Sequence, residues 1–351
     1  MTAHRGWRRL AAALSLTALL AGVTACGGGS DDSADGDRPT IRIAYQNFPS
    51  GDLVVKDQGW LEDALPDYDI EWTLFDSGAS INTAFVADAV DIAAIGSSPV
   101  ARGLSEPLNI PYQVTWILDV AGDNEALVAR DGAGISSVSD LVGKKVATPF
   151  ASTSHYSLLA ALDDAGVDSS QVDLIDLQPA DILAAWTRGD IDAAYVWLPT
   201  LAELQDSGTT LTTSAELAQG GKPTLDLGVA ATSFIEDHPD AVSAWRQVQA
   251  RALQLIADDP DAAAAAVGRQ LGIDADEAAT QLSQGIFLSP ADEASDQWLG
   301  GADGPGNLAA NLEDAARFLA DQQQIPDAPS LETFQDAIYN DGLEDDVTGG
   351  Q

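Results

Sequence analysis

The sequence predicts an α/β fold of two similar lobes, built from parallel sheets with helices on both faces. Three observations lead there. From Ile41 onward short apolar runs alternate with helical patterns, the signature of strands feeding crossover helices. That alternation restarts after Lys145, and after about Thr232 it gives way to helices alone. A chain of 351 residues, 45% of them hydrophobic, can bury a core in each of two domains.

In the first half, residues 41–45, 70–75 and 90–95 read as strands. Each is followed by a helical pattern, at 53–61, at 79–87 and from Pro99, where proline suits the first helical turn. In the second half, strands are predicted at 145–150, 172–177 and 191–196, with helices at 154–164, closed by Gly166, and at 180–188. Asp88-Ala-Val-Asp-Ile-Ala-Ala-Ile95 and Gly189-Asp-Ile-Asp-Ala-Ala-Tyr-Val196 echo one another, each leaving a helix through a turn and entering a strand. Further on, 239–256, 261–271, 275–282, 308–322 and 331–339 carry amphipathic helical periodicity punctuated by Pro260 and Pro326, and 340–351 reads as a frayed acidic tail.

Residues 1–25 place His4, Arg5, Arg8 and Arg9 before an apolar run from Leu10 to Val23, an export signal too short for an ordinary spanning helix. The ending Val23-Thr-Ala-Cys26 resembles a bacterial lipobox, in which the cysteine is acylated and becomes the mature N-terminus. Cys26 is the chain's single cysteine, so no intramolecular disulfide and no thiolate metal cluster can form. Residues 26–37, rich in Gly, Ser and Asp, form a flexible tether. A body lipid-anchored at the outer face of the cytoplasmic membrane is expected. The whole chain carries 16 Lys and Arg against 55 Asp and Glu, a formal charge of −39. Such a surface repels phosphate backbones and excludes nucleic-acid binding.

In open α/β sheets ligands sit beyond the carboxyl ends of strands, where helix N-termini present unpaired N–H groups. Phe75-Asp-Ser-Gly-Ala-Ser80, Gly96-Ser-Ser-Pro99 and Ala151-Ser-Thr-Ser-His-Tyr156 each combine that position with small hydroxyl residues. Each also suits an ordinary N-cap, worth ~1 kcal/mol to its helix. Together they suggest an anion site, but the acidic surface opposes the approach of a net anion. A zwitterion escapes that penalty and needs a carboxylate for its cationic end. Glu125 and Asp226 both flank or enter apolar runs, where an unpaired carboxylate is costly, although an acid at a strand edge is the plainer alternative. Trp197, Tyr45 and Tyr156 could line the ligand's apolar middle or simply pack in a core.

These segments resemble the sulfonate/nitrate/taurine group of solute receptors serving bacterial ABC importers, and its taurine branch in particular. The likeness runs in order from about Ile41 to Ser289. It is most specific to the taurine branch in Ser152-Thr-Ser-His-Tyr-Ser-Leu-Leu-Ala-Ala161, Tyr195-Val-Trp197 and Asp226, joined by Glu125-Ala-Leu-Val128, Leu177-Gln-Pro179, the 184–192 segment and Pro223-Thr-Leu225. The resemblance implies a two-lobed periplasmic-binding-protein-like fold of type II, with two hinge crossings near Glu125 and Asp226. Residues 38–122 and 228–330 would form one lobe, 123–227 the other, and 331–351 a C-terminal helix and tail. It also implies sulfonate contacts at Ser77, Ser97, Ser98, Thr153, Ser154 and His155, ammonium contacts at Glu125 and Asp226, and a wall at Trp197. Taurine or a similar aminosulfonate would be the ligand of a monomer that docks on permease subunits. The ATPase would be a separate protein, since the chain has no phosphate-binding loop of the G-x-x-x-x-G-K-[ST] kind. Where this family can place a bulky aromatic, the chain has Leu227-Gly228-Val229; a Gly228 facing the cleft would widen the pocket.

Other readings remain open at this stage: a receptor of the same group for an alkanesulfonate, nitrate or a pyrimidine precursor, a cleft enzyme, or an adhesive lipoprotein. Catalysis has little to work with. Cofactor motifs and metal-ligand spacings are missing, and His155 beside Ser154 points elsewhere on a helix.

Overall fold

The structure, a computed structural model, describes residues 38–302 and 304–348. The export signal, the tether and Cys26 lie outside the described residues. No helix among the described residues is long and apolar enough to cross a membrane.

Ten strands carry the architecture. The first four are β1 (Thr40–Tyr45), β2 (Asp69–Leu74), β3 (Ile92–Gly96) and β4 (Tyr112–Val120). Five more follow as β5 (Glu125–Arg130), β6 (Lys145–Thr148), β7 (Asp173–Asp176), β8 (Ala193–Trp197) and β9 (Gly208–Thr213). The last is β10 (Leu225–Ala231). They form two five-stranded sheets, ordered β2-β1-β3-β10-β4 and β7-β6-β8-β5-β9. The chain crosses between them twice, from Val120 to Glu125 and from Thr213 back to Leu225. The two sheets repeat one plan. In each, three strands are parallel and the fourth, β10 or β5, runs antiparallel to both neighbours. The two echoing segments are the strands β3 and β8, in the third place of their sheets. Each follows a left-handed turn residue, Asp88 at φ 53° and Gly189 at φ 74°.

Direction matters for function. An antiparallel strand starts where its parallel neighbours end, so the first residues of β5 and β10 lie at the carboxyl edge of the sheets. Glu125 therefore pairs with Trp197 at the end of β8, and Asp226 with Gly96 at the end of β3.

The predicted helix at 53–61 forms as two, Gly51–Gln58 and Trp60–Ala64, because Gly59 turns left-handed at φ 64° between them. Strands β5 and β10 form from the apolar runs beside Glu125 and Asp226, and β4 and β9 add to what the sequence predicts. β4 reads as an almost unbroken buried run, and its outer edge is covered by later segments: Val120 bridges Ile286, and Val114 bridges Ile338. The acidic tail is no frayed end. Leu343–Thr348 is a helix with Leu343 fully buried, and Asp346 pairs at 3.2 Å with Arg246 inside the Pro239–Asp258 helix. Arg246, 1% exposed, also donates to the carbonyls of Thr115, Asp341 and Tyr339, so the charge is compensated on every side.

Gly228 does not face the cleft. It lies under the ring of Trp245, where a Cβ would come within 2.1 Å of Trp245 Cη2 and 3.1 Å of Trp116 Cβ. Glycine at this position admits a large core ring and leaves the pocket size unaffected. Gly228→Ala is expected to overpack this contact, costing ~1–3 kcal/mol and lowering the melting temperature by several degrees. An unchanged melting temperature would show that Gly228 is not held in the core.

Candidate ligand-binding site

A narrow cavity of about 20 Å³ lies where the carboxyl edges of the two sheets meet. From the first sheet's side come Gln46, Phe48, Pro49, Gly78, Gly96, Pro99 and Asp226; from the second, Glu125, Ser152, Thr153, Trp197 and Leu198. Ala121 and Asn124 of the first crossing complete it. The two sides touch: a Cβ on Gly96 would lie 2.5 Å from Thr153 Cγ2 and 3.6 Å from Asp226 Oδ1. One or two waters fill a space of that size, so a solute enters only when the sides part. A larger groove of about 600 Å³ lies among Leu253, Ile256, Leu282, Phe287 and Val347, but no ionisable side chain lines it.

Two helix starts aim at the cavity. Ser77 caps the Gly78–Val86 helix from an extended conformation without using its side chain on the first-turn N–H groups. Gly78 can sit there only without a side chain, since a Cβ would press 2.5 Å from Pro99 Cγ. Ser152 caps the Thr153–Asp164 helix and accepts from the His155 N–H. The unpaired N–H groups of both first turns supply positive potential to one small volume.

Glu125 is almost fully buried and has four hydroxyl partners. Oε1 accepts from Thr153 Oγ1 at 2.8 Å and from Ser154 Oγ. Oε2 accepts from Ser214 Oγ at 3.0 Å and Thr224 Oγ1 at 3.3 Å. Burial pushes this carboxyl above its ordinary range, while the four donors pull it back.

Asp226 is half-buried and differs in kind. Its carboxyl accepts from no side-chain or backbone donor among the described residues and opens onto the cavity. Its register partner is Asp119 on β4, fully buried and itself beside Glu125. Burial raises both acids, and for Asp226 the negative charges of Asp119 and Glu125 add to it. Three carboxyls thus converge at the back of the cavity.

Of the residues singled out from sequence, Glu125, Thr153, Trp197 and Asp226 line the cavity. Ser77, Ser97, Ser98, Ser154 and His155 are buried beside it and do not. Ser97 Oγ accepts from the Leu225 N–H at 3.1 Å, tying β10 to the helix start, and Ser154 serves Glu125. His155 stacks on Phe150 at 4.5 Å, and its Nδ1 accepts from the Ala151 N–H at 3.2 Å. Burial, with the Arg102 charge adding and Asp176 opposing, takes His155 down to about 4, so the ring is neutral at neutral pH. Tyr45 packs on Trp72 and Tyr156 on Phe318, away from the cavity. Sequence reasoning missed Asp119, Asn124 and the Gln46-Asn-Phe-Pro49 loop. Asp119 carries the signal that exposed Asp226, an acid within an apolar run, and the loop follows β1 as the hydroxyl motifs follow their strands.

Two sheets of one order, joined by two crossings and closed over a cavity with an open carboxyl and helix N-termini, define a two-lobed ligand-binding fold. The family model described as NMT1/THI5 like matches residues 53–263, and the chain belongs to that family. The taurine-binding periplasmic protein of Escherichia coli (strain K12) is 38% identical over 263 residues, covering 73% of this chain and 79% of that protein. Among solved structures, the alkanesulfonate-binding protein of Xanthomonas axonopodis pv. citri bound to MOPS superposes with a TM-score of 0.72 at 18% identity, over 86% of this chain and 98% of that one. A desulfurization enzyme shares the fold too, with a TM-score of 0.64 at 16% identity over 90% of this chain and 100% of its own.

The raised carboxyls set a pH dependence for stability. Asp119 and the buried Asp52 are each pushed up to about 7 by burial. The folded chain holds protons there that the unfolded chain releases near pH 4, so stability is greatest at low pH in this window and falls as pH rises towards 7. Asp57, Asp140 and Asp168, held below the ordinary range, act only at more acid pH, while His155, held neutral by burial, opposes the trend below about pH 6.5 as one group against the two acids. The melting temperature of the protein without added solute is expected to fall by several degrees between pH 5 and pH 8. A rise over that interval would contradict these burial effects.

Proposed function

We propose that this chain is the extracytoplasmic receptor of an ABC importer and that it captures taurine, 2-aminoethanesulfonate, in the cleft between its lobes. The observation that carries the reading is the open carboxyl of Asp226 facing two helix N-termini across one cavity. A zwitterion with a short spacer matches both ends. The sulfonate is ionised at every physiological pH and needs only fixed N–H groups, here those at the starts of the Gly78–Val86 and Thr153–Asp164 helices, with Thr153 Oγ1 beside them. The ammonium goes to Asp226, with Glu125 behind it, and Trp197 walls the spacer. The identity to a taurine-binding protein over most of both chains supports the same reading.

Lobes of residues 38–122 with 228–330, and of 123–227, would part to admit the solute and close on it, ligand selecting the closed state. Cys26 would carry the lipid that holds the receptor at the outer face of the cytoplasmic membrane, as a monomer delivering solute to permease subunits powered by a separate ATPase. Binding without turnover is favoured over catalysis. Ser154 is committed to Glu125 and His155 to Ala151, so they form no nucleophile and base pair.

A thermal-shift panel of the body from residue 38 onward, with taurine, ethanesulfonate, sulfate, nitrate and β-alanine, tests the ligand. Taurine at about 100 times its dissociation constant is expected to add ~2.7 kcal/mol, a shift of several degrees. Stabilisation by ethanesulfonate without taurine would overturn the reading. Asp226→Asn is expected to weaken taurine binding at least a hundredfold, since truncating a buried charge partner costs ~3–5 kcal/mol. Gly96→Ala, which sets a methyl against Thr153, is expected to lower affinity while the melting temperature without ligand stays within a few degrees. Full affinity in that variant would show that the lobes need not meet there.

A further inference from the structure

Asp119 has no place in the binding set above, although it lies directly behind the cavity wall as the register partner of Asp226. It is fully buried on β4. Its Oδ2 accepts from Asn124 Nδ2 at 3.0 Å, and Asn124 Oδ1 accepts from the Gly122 N–H at 2.6 Å, which fixes the amide's orientation within the first crossing. The strap that covers this crossing packs against the same carboxylate, so that a Cβ on Gly285 would lie 3.1 Å from Asp119 Oδ2. Oδ1 is buried and has no donor among the described residues. The residue opposite it on β10 is Asp226.

The charged groups that bear on Asp119 are therefore Asp226 from β10 and Glu125 from the start of β5, both acids. Asn124 and the strap residues Gln284, Ile286 and Phe287 bring no charge. Two ionised carboxylates side by side, with a third nearby and no cation, repel strongly, and an orphaned buried acceptor adds to the cost. One proton between them removes both problems, because it turns an acceptor into a donor aimed at the other carboxylate.

We infer that Asp119 and Asp226 form a proton-sharing acid pair, and that an ammonium entering the cavity drives that proton off the pair into solvent. Asp119 is a positioning residue: anchored by Asn124 through Oδ2, it keeps Asp226 turned to the cavity and sets the proton count of the site. The step balances as protonated receptor plus zwitterion giving complex plus one proton. The inference rests on Asp226 being the ammonium's partner. It adds a second criterion for recognition, because a sulfonate without an ammonium has nothing with which to displace the proton. The burial that raises both acids is consistent with a proton held there in the neutral range.

The test is calorimetric titration of the protein with taurine at pH 6, 7 and 8, in buffers of differing ionisation enthalpy. Proton release is expected in the wild type, with affinity rising as pH rises, up to tenfold per unit below the pair's titration. Asp119→Asn supplies a permanent N–H donor to Asp226, so proton release and the pH dependence are expected to vanish together. Equal release in wild type and D119N, or none in the wild type while taurine binds, overturns the pair and leaves the taurine reading standing. Failure of taurine to bind at any pH instead sinks the taurine reading. Infrared difference spectra of the wild type give a check that needs no variant. The band of a protonated carboxyl should disappear when taurine is added, and its persistence would contradict the inference.

Discussion

A single buried carboxylate organises the cleft. Glu125 would be costly where it lies without donors, and the four hydroxyls that satisfy it come from three separate stretches: Thr153 and Ser154 after β6, Ser214 after β9, and Thr224 before β10. Glu125 ends the first crossing between the sheets, and Thr224 lies on the second. One side chain thus ties both crossings to the helix start that faces the ligand site. Ser214 extends the network inward, within 3.1 Å of the Tyr195 hydroxyl and 3.4 Å of Ser157. Each carboxylate oxygen has two donors, so removing one hydroxyl leaves that oxygen with a single partner in a site that water cannot reach freely.

With Glu125 committed to holding the crossings, Asp226 is the carboxylate left open, and the proposed reading gives it the cation. Strand direction puts both acids at the same edge, since β5 and β10 each run against their parallel neighbours. The difference between them lies in their partners. Glu125 is surrounded by hydroxyls, whereas Asp226 meets another acid and the open cavity. Charge works on a longer scale as well. At −39 overall the chain repels anions at a distance, and a solute of zero net charge carrying a local anion passes that barrier.

Much of this was legible in the sequence because it is written in local periodicity. The alternation of apolar runs and helical patterns located six strands, and the acids within apolar runs marked Glu125 and Asp226. The misses have physical reasons. β4 is buried at nearly every position but carries Gln113, Thr115 and Asp119, so an alternating start passes into an apolar stretch and no single period runs through it. β9, Gly208–Thr213, is mostly threonine and follows its neighbour's pairing rather than any hydrophobic pattern. The tail's acidity concealed a partner at a distance of 100 residues, the Arg246 that buries Asp346. Hydroxyl residues at helix starts pointed to a candidate site, but the pattern cannot separate those that line the cavity from those, like Ser154, that serve a neighbouring acid. That distinction depends on which strands lie side by side.

The division of labour between the two acids is tested most directly by a crystal structure of the taurine complex. The account places the amine nitrogen within hydrogen-bond distance of Asp226, with Glu125 still accepting from Thr153, Ser154, Ser214 and Thr224. An amine seated on Glu125, with those hydroxyls turned away and Asp226 unengaged, would contradict it.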